Sequence, residues 1–212
     1  MTTTAATQPA YPLTFDVDYP DRPLNRMTNA FRLVMLVPIA IVLAALTALG
    51  SSASSGDGGL VAVAGLLFLP PLLMIVFRGK YPRWWFDWNV ELMRFTNRVY
   101  AYGTLLSDRY PSTDEEQYVK LEVEYPDARE DLSRCLPLVK WFLAIPHYVA
   151  LAVLSIGALF AVVAAWFSIL FTGRYPRSLF DYVVGVMRWS NRVSAYAFLL
   201  ATDKYPPFRL SH

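Results

Sequence analysis

Two acidic side chains, Asp87 and Glu91, lie four positions apart in a charged, aromatic-rich segment. On a helix this spacing places both carboxylates on one face, which suits acid–base chemistry or the binding of a metal ion. Arg94 and Arg98 continue the same face. A similar segment later in the chain carries Gly185 where Glu91 stands, so we favour a surface ion network with the two arginines over a reactive carboxylate pair.

A single histidine, His147, directly follows Pro146 inside a long apolar run. An ionisable group within a membrane segment is by default a candidate functional site. The matching position earlier in the chain is Ile39, so a neutral histidine that is hydrogen-bonded inside a helix bundle is an equally good interpretation. His147 is therefore a possible intramembrane polar site.

The familiar catalytic motifs are missing from the sequence. It contains no Gly-rich phosphate loop, no H-E-x-x-H pair and no G-x-S-x-G elbow, and two histidines with one cysteine, Cys135, form no metal-spaced set. We expect no enzymatic activity, no cofactor, no catalytic residue and no metal site. Nucleic-acid binding is not expected either, because the arginines alternate with acidic and aromatic residues instead of forming a free basic face.

The composition indicates a membrane protein, with 55% hydrophobic and only 17% charged residues. Apolar runs predict transmembrane helices over 31–50 and 60–77, joined by a Gly/Ser-rich loop, with Pro70 and Pro71 kinking the second helix.

A further apolar run, 138–172, is too long for one span, and Ser155-Ile156-Gly157 near its middle offers a turn. We predict two short spans here, over 138–155 and 157–172. One very long tilted helix is the alternative.

All nineteen basic residues lie in three blocks, 22–32, 78–140 and 174–209, and none lies in the two proposed hairpin turns. Because Lys and Arg are enriched on the cytoplasmic side, both termini and the central segment are predicted to be cytoplasmic. The sequence thus predicts a multi-pass protein of the inner (plasma) membrane.

An internal repeat covers most of the chain. RGKYPRWWFD, beginning at Arg78, returns as TGRYPRSLFD, and MRFTNRVYAY, beginning at Met93, returns as MRWSNRVSAY. We divide the chain into a disordered tail (1–11), a first repeat unit (12–111), a linker (112–117) and a second unit (118–212). Each unit contains an even number of predicted spans, so the two repeats are parallel.

Outside the spans, each unit contributes a strand and an amphipathic helix. Strict alternation at Leu13 to Tyr19 and at Val119 to Tyr125 predicts two strands, which the repeat symmetry pairs into an antiparallel ribbon. Charged stripes flanked by aromatic residues predict cytoplasmic interfacial helices over 83–106 and 177–200. The predicted fold is a mainly α membrane protein with four transmembrane helices in two hairpins, two amphipathic helices and a two-stranded β-ribbon.

At the recurring RYP-x3-FD, MRW-SNRV-AY and TDKYPPF stretches, the sequence resembles a family of bacterial membrane proteins catalogued as domain of unknown function 4389. The resemblance extends over both units and implies a location in the bacterial inner membrane. It implies no activity and no catalytic residue.

These observations favour a non-enzymatic membrane scaffold or accessory subunit whose cytoplasmic platform binds anionic lipid headgroups or docks onto a larger membrane protein complex. The candidate lipid- or partner-binding residues are Arg94, Arg98, Arg188 and Arg192. Alternatively these arginines turn inward, in ion pairs with Asp87 and Asp181. A small transporter or lipid-handling protein, with a path near His147, is the second hypothesis.

Overall fold

A computed structural model describes residues 11–20, 24–48, 70–112, 118–128 and 130–211. Over these residues the chain is mainly helical, with one small antiparallel sheet. This confirms the predicted fold class at that level. Residues 1–10 of the predicted disordered tail, most of the linker, the Gly/Ser-rich loop of the first hairpin and residues 60–69 of the predicted second span lie outside the described residues.

The ribbon pairs β1 (Leu13–Val17) with β2 (Val119–Val123) in antiparallel register, with Phe15 directly opposite Leu121. Side chains in a strand alternate between the two faces of the sheet, and here the apolar set is buried while Thr14 and Asp16 on β1 are exposed. The prediction of a two-stranded antiparallel ribbon is confirmed.

In the first half of the chain (residues 12–111), α1 (Arg26–Ala30) begins after Asn25, whose side chain accepts hydrogen bonds from two backbone N–H groups of the first turn. The longer α2 (Arg32–Ala48) follows and contains Pro38. The helical stretch that is described from residue 70 onward ends in a π-helical turn (Met74–Arg78), and the amphipathic α3 (Arg83–Gly103) comes next.

The second half (residues 118–212) contains a short 3₁₀ turn (Leu136–Leu138), α4 (Lys140–Leu143), α5 (Ile145–Thr172) and the amphipathic α6 (Arg177–Ala197). Gly173 ends α5 with a φ of 74°, in the left-handed region that favours glycine. Both amphipathic helices begin at the predicted residues and end three residues early, because the chain turns where Leu105 and Leu200 adopt positive φ.

The two predicted spans over 138–155 and 157–172 are wrong, because α5 is one continuous helix of 28 residues. Gly157 does not form a turn. A Cβ atom there would lie 2.6 Å from the hydroxyl of Tyr182, which donates a 3.0 Å hydrogen bond to the carbonyl of Leu154. The glycine therefore lets α6 approach α5 closely, and the alternative of one long helix is correct.

Among the described residues, α5 is the one helix long and apolar enough to cross a membrane. At about 1.5 Å per residue it exceeds the roughly 30 Å of a hydrocarbon core. A second apolar stretch, Val34–Leu43 in α2, is shorter. Four transmembrane helices in two hairpins are thus not supported.

The main core forms where the ribbon packs against α6, with Ala161, Ala165 and Ile169 of α5 completing it. The two halves are tied together by tyrosine hydroxyls that cross between them. Tyr125 donates to the carbonyl of Tyr81 (2.5 Å), and Tyr19 donates to the carbonyl of Tyr175 (2.6 Å). Each half therefore supplies the hydrogen-bond donor for the tyrosine carbonyl just before the amphipathic helix of the other half.

Candidate functional site

Arg94 and Arg188, at matching positions of the two amphipathic helices, bind the ribbon. Arg94 of α3 donates its Nε to the carbonyl of Leu121 (3.0 Å), and Arg188 of α6 donates its Nε to the carbonyl of Phe15 (2.9 Å). Phe15 and Leu121 face each other in the ribbon, so each helix holds the strand that belongs to the other half. Arg188 also pairs with Asp16 at 3.1 Å.

Arg98 and Arg192, four residues further along each helix, are buried and bind backbone carbonyls of the segment that follows the helix. Arg98 donates to the carbonyl of Ser112 (2.9 Å), and Arg192 donates to the carbonyls of Arg209 (3.2 Å) and Ser211 (2.8 Å). Burial, then the neighbouring cations Arg209 and Arg188, lower the pKa of Arg192. The contacts of all four arginines favour the inward alternative, while lipid or partner binding through them stays a prediction.

The acidic residues of the predicted ion pairs lie at the surface. Asp181 is 3.9 Å from Arg177, and both side chains are largely exposed, a geometry that contributes little to stability. Asp87 is exposed and forms no salt bridge with any described residue, whereas Glu91 pairs with Arg94. The described ranges also contain no group of three His, Cys, Asp or Glu side chains placed to hold a metal ion.

His147 is fully buried where α5 meets α6 and the C-terminal segment. Its Nδ1 accepts a 3.1 Å hydrogen bond from the indole of Trp189, so the neutral ring carries its proton on Nε2, which has no hydrogen-bond partner among the described residues. Phe208 stacks on the imidazole at 4.0 Å between centroids, and Tyr205 lies at 4.7 Å. In the first half Ile39 packs against Phe95 and Val99 instead. The aromatic surroundings match a packed histidine better than a conducting path.

Two buried cations were not predicted from the sequence. Arg32 begins α2, and Lys140 begins α4, just before α5. Arg32 is 2% exposed, lies 4.7 Å from the centre of the Tyr102 ring, and donates to the carbonyls of Tyr102 (3.1 Å) and Ser107 (2.9 Å). It forms an ion pair with Asp108, whose other oxygen accepts a 2.6 Å hydrogen bond from the backbone of Asn25. We call this set of contacts the Arg32 clamp.

The second half contains the same arrangement around Lys140, which is 0% exposed. Its Nζ pairs with Asp203 (2.7 Å), donates to the carbonyl of Thr202 (2.7 Å) and lies 5.2 Å from the centre of the Tyr196 ring. The other oxygen of Asp203 accepts from the backbone of Ser133 at 2.7 Å. We call this set the Lys140 clamp.

The clamps had a signal in the sequence. The recurring stretches LLSDRYP and LLATDKYP contain Asp108 and Asp203, and a basic residue begins both α2 and the short α4 that precedes α5. A basic residue at the end of an apolar helix is usually solvated, so the repeated aspartate was the informative feature.

Two asparagines at matching positions of α3 and α6 meet in the centre of the molecule. Asn97 donates from Nδ2 to Oδ1 of Asn191, and Asn191 donates from Nδ2 to Oδ1 of Asn97, both at 2.8 Å. Both residues are buried. Each amide therefore satisfies the other, and the pair lies between the ribbon side of the two helices and a cavity on the opposite side.

The cavity has a volume of about 740 Å³ and lies between α3, α5 and α6. Its lining is mostly apolar, and no described residue that lines it carries a charge. Matching residues of α3 and α6, such as Met93 and Met187, both line the cavity. Besides the asparagine pair, the polar lining residues are Asn89, Thr96, Tyr100, Thr104, Ser155, Ser190 and Ser194.

Comparison with known proteins found one similarity. Residues 137–209, which include α5 and α6, match the family model described as Domain of unknown function (DUF4389). The search of curated proteins found no match, and neither did the search of solved structures. The similarity thus covers the half that contains the Lys140 clamp and His147.

Proposed function

We propose that the protein is a non-enzymatic membrane protein, a scaffold or accessory subunit, that α5 holds in the lipid bilayer. One observation carries the proposal: only 11% of the most apolar window of α5 is buried. Large side chains including Val153, Leu159 and Phe160 face outward along this helix. A continuous apolar surface of this kind indicates contact with a membrane or a protein partner.

The outer face of α2 supports the same proposal. Val34, Val37 and Ile41 follow one another at helical spacing, and all are exposed. Exposed aromatic residues at the start of α3, Trp84 and Trp88, suit the lipid headgroup region, where indole rings are enriched. With Arg94, Arg98, Arg188 and Arg192 turned inward, we assign the lipid- or partner-binding surface to these tryptophans and the neighbouring exposed Arg83.

We further infer that the chain consists of two tandem copies of the unit that the family model describes. Matched contacts support this inference: the two clamps, the arginine bonds to the ribbon and the reciprocal asparagine pair. A core whose two halves hold each other's strands is rigid. Rigidity suits a protein that positions partners or lipids more than one that performs chemistry.

Fractionation of cells tests residence in the membrane. We expect the wild-type chain to stay in the membrane pellet after an alkaline wash, because α5 would expose its outer face if it were released. The paired change Val153→Lys and Phe160→Lys adds two charges to that face, each costing roughly 3 kcal/mol in the hydrocarbon region, and should move the protein out of the pellet.

Thr14→Lys on the exposed face of the ribbon is the matched control and should leave the protein in the pellet. A wild-type chain that is fully released by the wash would overturn the proposal.

The proposed cytoplasmic position of the central segment is tested at Cys135, which is exposed and has a free thiol. A membrane-impermeant thiol reagent should label it only after the cells are opened. Labelling in intact cells would reverse the orientation without removing the protein from the membrane.

A further inference from the structure

We propose that the cavity between α3, α5 and α6 binds one lipid acyl chain that enters from the side of the bilayer. This inference rests on the proposed membrane residence. The volume of about 740 Å³ lies within the range of small-molecule sites, which is roughly 300–1,000 Å³. The cavity is therefore large enough to hold an extended ligand.

Water is a poor occupant of this space. At about 30 Å³ per molecule, on the order of twenty waters would fill the cavity, and each ordered water needs two to four polar partners. The walls are formed largely by Leu92, Met93, Ala158, Val162, Val186 and Met187. An apolar occupant fits these walls better, and the two methionines can adapt to a flexible chain.

The lining disfavours a charged ligand. Asn97 uses Nδ2 to donate both to Asn191 and to the carbonyl of Met93 (2.8 Å), while its Oδ1 accepts from Asn191. The two central amides are thus largely occupied by each other. With no charge on the described lining, neither a free anion nor a cation finds a counter-charge, and the mostly apolar walls favour an alkyl chain.

The position of Leu159 connects the cavity to the bilayer. This residue belongs to the lining and is also exposed on the outer face of α5. Tyr100 and Phe198, which line the cavity as well, are likewise exposed. A chain can therefore pass from the apolar surface of α5 into the cavity past described lining residues that carry no charge.

Photocrosslinking in vesicles tests the proposal. The full chain is reconstituted in vesicles of phosphatidylcholine and phosphatidylglycerol. A small fraction of the phosphatidylcholine carries a diazirine near the end of one acyl chain. After illumination, the adducts are located by mass spectrometry. We expect adducts at Met93 and Met187 inside the cavity and at Val149 and Val153 on the outer face of α5.

A bulky substitution that fills the cavity distinguishes labelling inside the cavity from labelling on the outer face of α5. Ser194→Trp should reduce the cavity adducts about tenfold, as expected for a substantial loss of affinity, and leave the outer-face adducts unchanged. Thr96→Trp places the same bulk on the opposite wall and serves if the first variant does not fold. Thr14→Trp on the exposed ribbon face is the matched control and should label like the wild type.

Outer-face adducts without cavity adducts would overturn this inference and leave the proposed membrane residence intact. Cavity adducts that persist in both tryptophan variants would also overturn it. A chain that acquires no adduct on either surface would overturn the proposed function itself.

Discussion

The Arg32 clamp and the Lys140 clamp stabilise a buried positive charge in the same way but with different cations. Each cation contacts an aspartate, a backbone carbonyl and a tyrosine ring at the start of α2 or of α4. Arg32 donates to two carbonyls as well as to Asp108. Lys140 has one carbonyl, from Thr202, and depends more heavily on Asp203.

The difference shows which features of the clamp the fold requires. The aspartate, the ring and the backbone N–H that binds the second carboxylate oxygen occur in both halves, whereas the cation changes between them. An arginine distributes its charge over a planar fork of donors, and a lysine concentrates it on one nitrogen. The Lys140 clamp should therefore be the more sensitive to loss of its carboxylate.

The largest effect is expected from Asp203→Asn, which leaves the wholly buried Lys140 without a counter-charge. We expect a loss of about 3 kcal/mol in the free energy of unfolding, in line with buried ion pairs that lose one partner. The measurement is unfolding in mild detergent.

Asp108→Asn is the matched variant and should cost less, about 2 kcal/mol, because Arg32 keeps two carbonyl partners and Asp108 is the more exposed of the two carboxylates. Equal losses for the two variants would show that the type of cation is immaterial.

An effect of intermediate size is expected at the asparagine pair. Asn97→Ala removes both amide partners of the buried Asn191, at a cost of about 2 kcal/mol, whereas Asn191→Ala leaves Asn97 its bond to the carbonyl of Met93 and should cost somewhat less. The double variant should cost less than the sum of the two, because the second change removes the orphaned group. Additive losses would mean that the reciprocal bonds contribute little.

A smaller, unequal effect is expected at the tyrosines that reach across the halves. Tyr81 donates to the carbonyl of Leu199 at 2.7 Å, whereas Tyr175 donates to the carbonyl of Thr104 at 3.5 Å. Tyr81→Phe should cost about 1 kcal/mol and Tyr175→Phe less, because the longer bond is weaker. The measurement is thermal unfolding. A larger loss of stability for Tyr175→Phe than for Tyr81→Phe would contradict the expected difference between the two hydrogen bonds.

The smallest effect concerns pH and again separates the clamps. Burial lowers the pKa of Lys140, against the opposing effect of Asp203. Between this lowered pKa and the ordinary value of 10.5, the unfolded chain binds more protons, so stability rises with pH. Below pH 10, where ordinary tyrosines do not ionise, this rise should be present in the wild type and absent in Lys140→Arg. If stability rose with pH equally in the wild type and in Lys140→Arg, a group other than Lys140 would be responsible for the rise.

Several elements followed from the sequence alone. Alternation of apolar and polar residues predicted both strands, and charged stripes flanked by aromatic residues predicted the first residue of both amphipathic helices. The apolar character of α5 was equally evident. These features depend on local periodicity and backbone chemistry, which are written in consecutive residues.

The tertiary structure decided the rest. A glycine near the middle of an apolar run is compatible with a turn or with a close helix contact, and only the hydroxyl of Tyr182 against Gly157 selects the contact. Arginines on an amphipathic face are compatible with lipid or with internal carbonyls, and only the docked ribbon fixes the partners of Arg94 and Arg188. In both cases the deciding atom lies far away in sequence, so local pattern cannot specify it, whereas packing can.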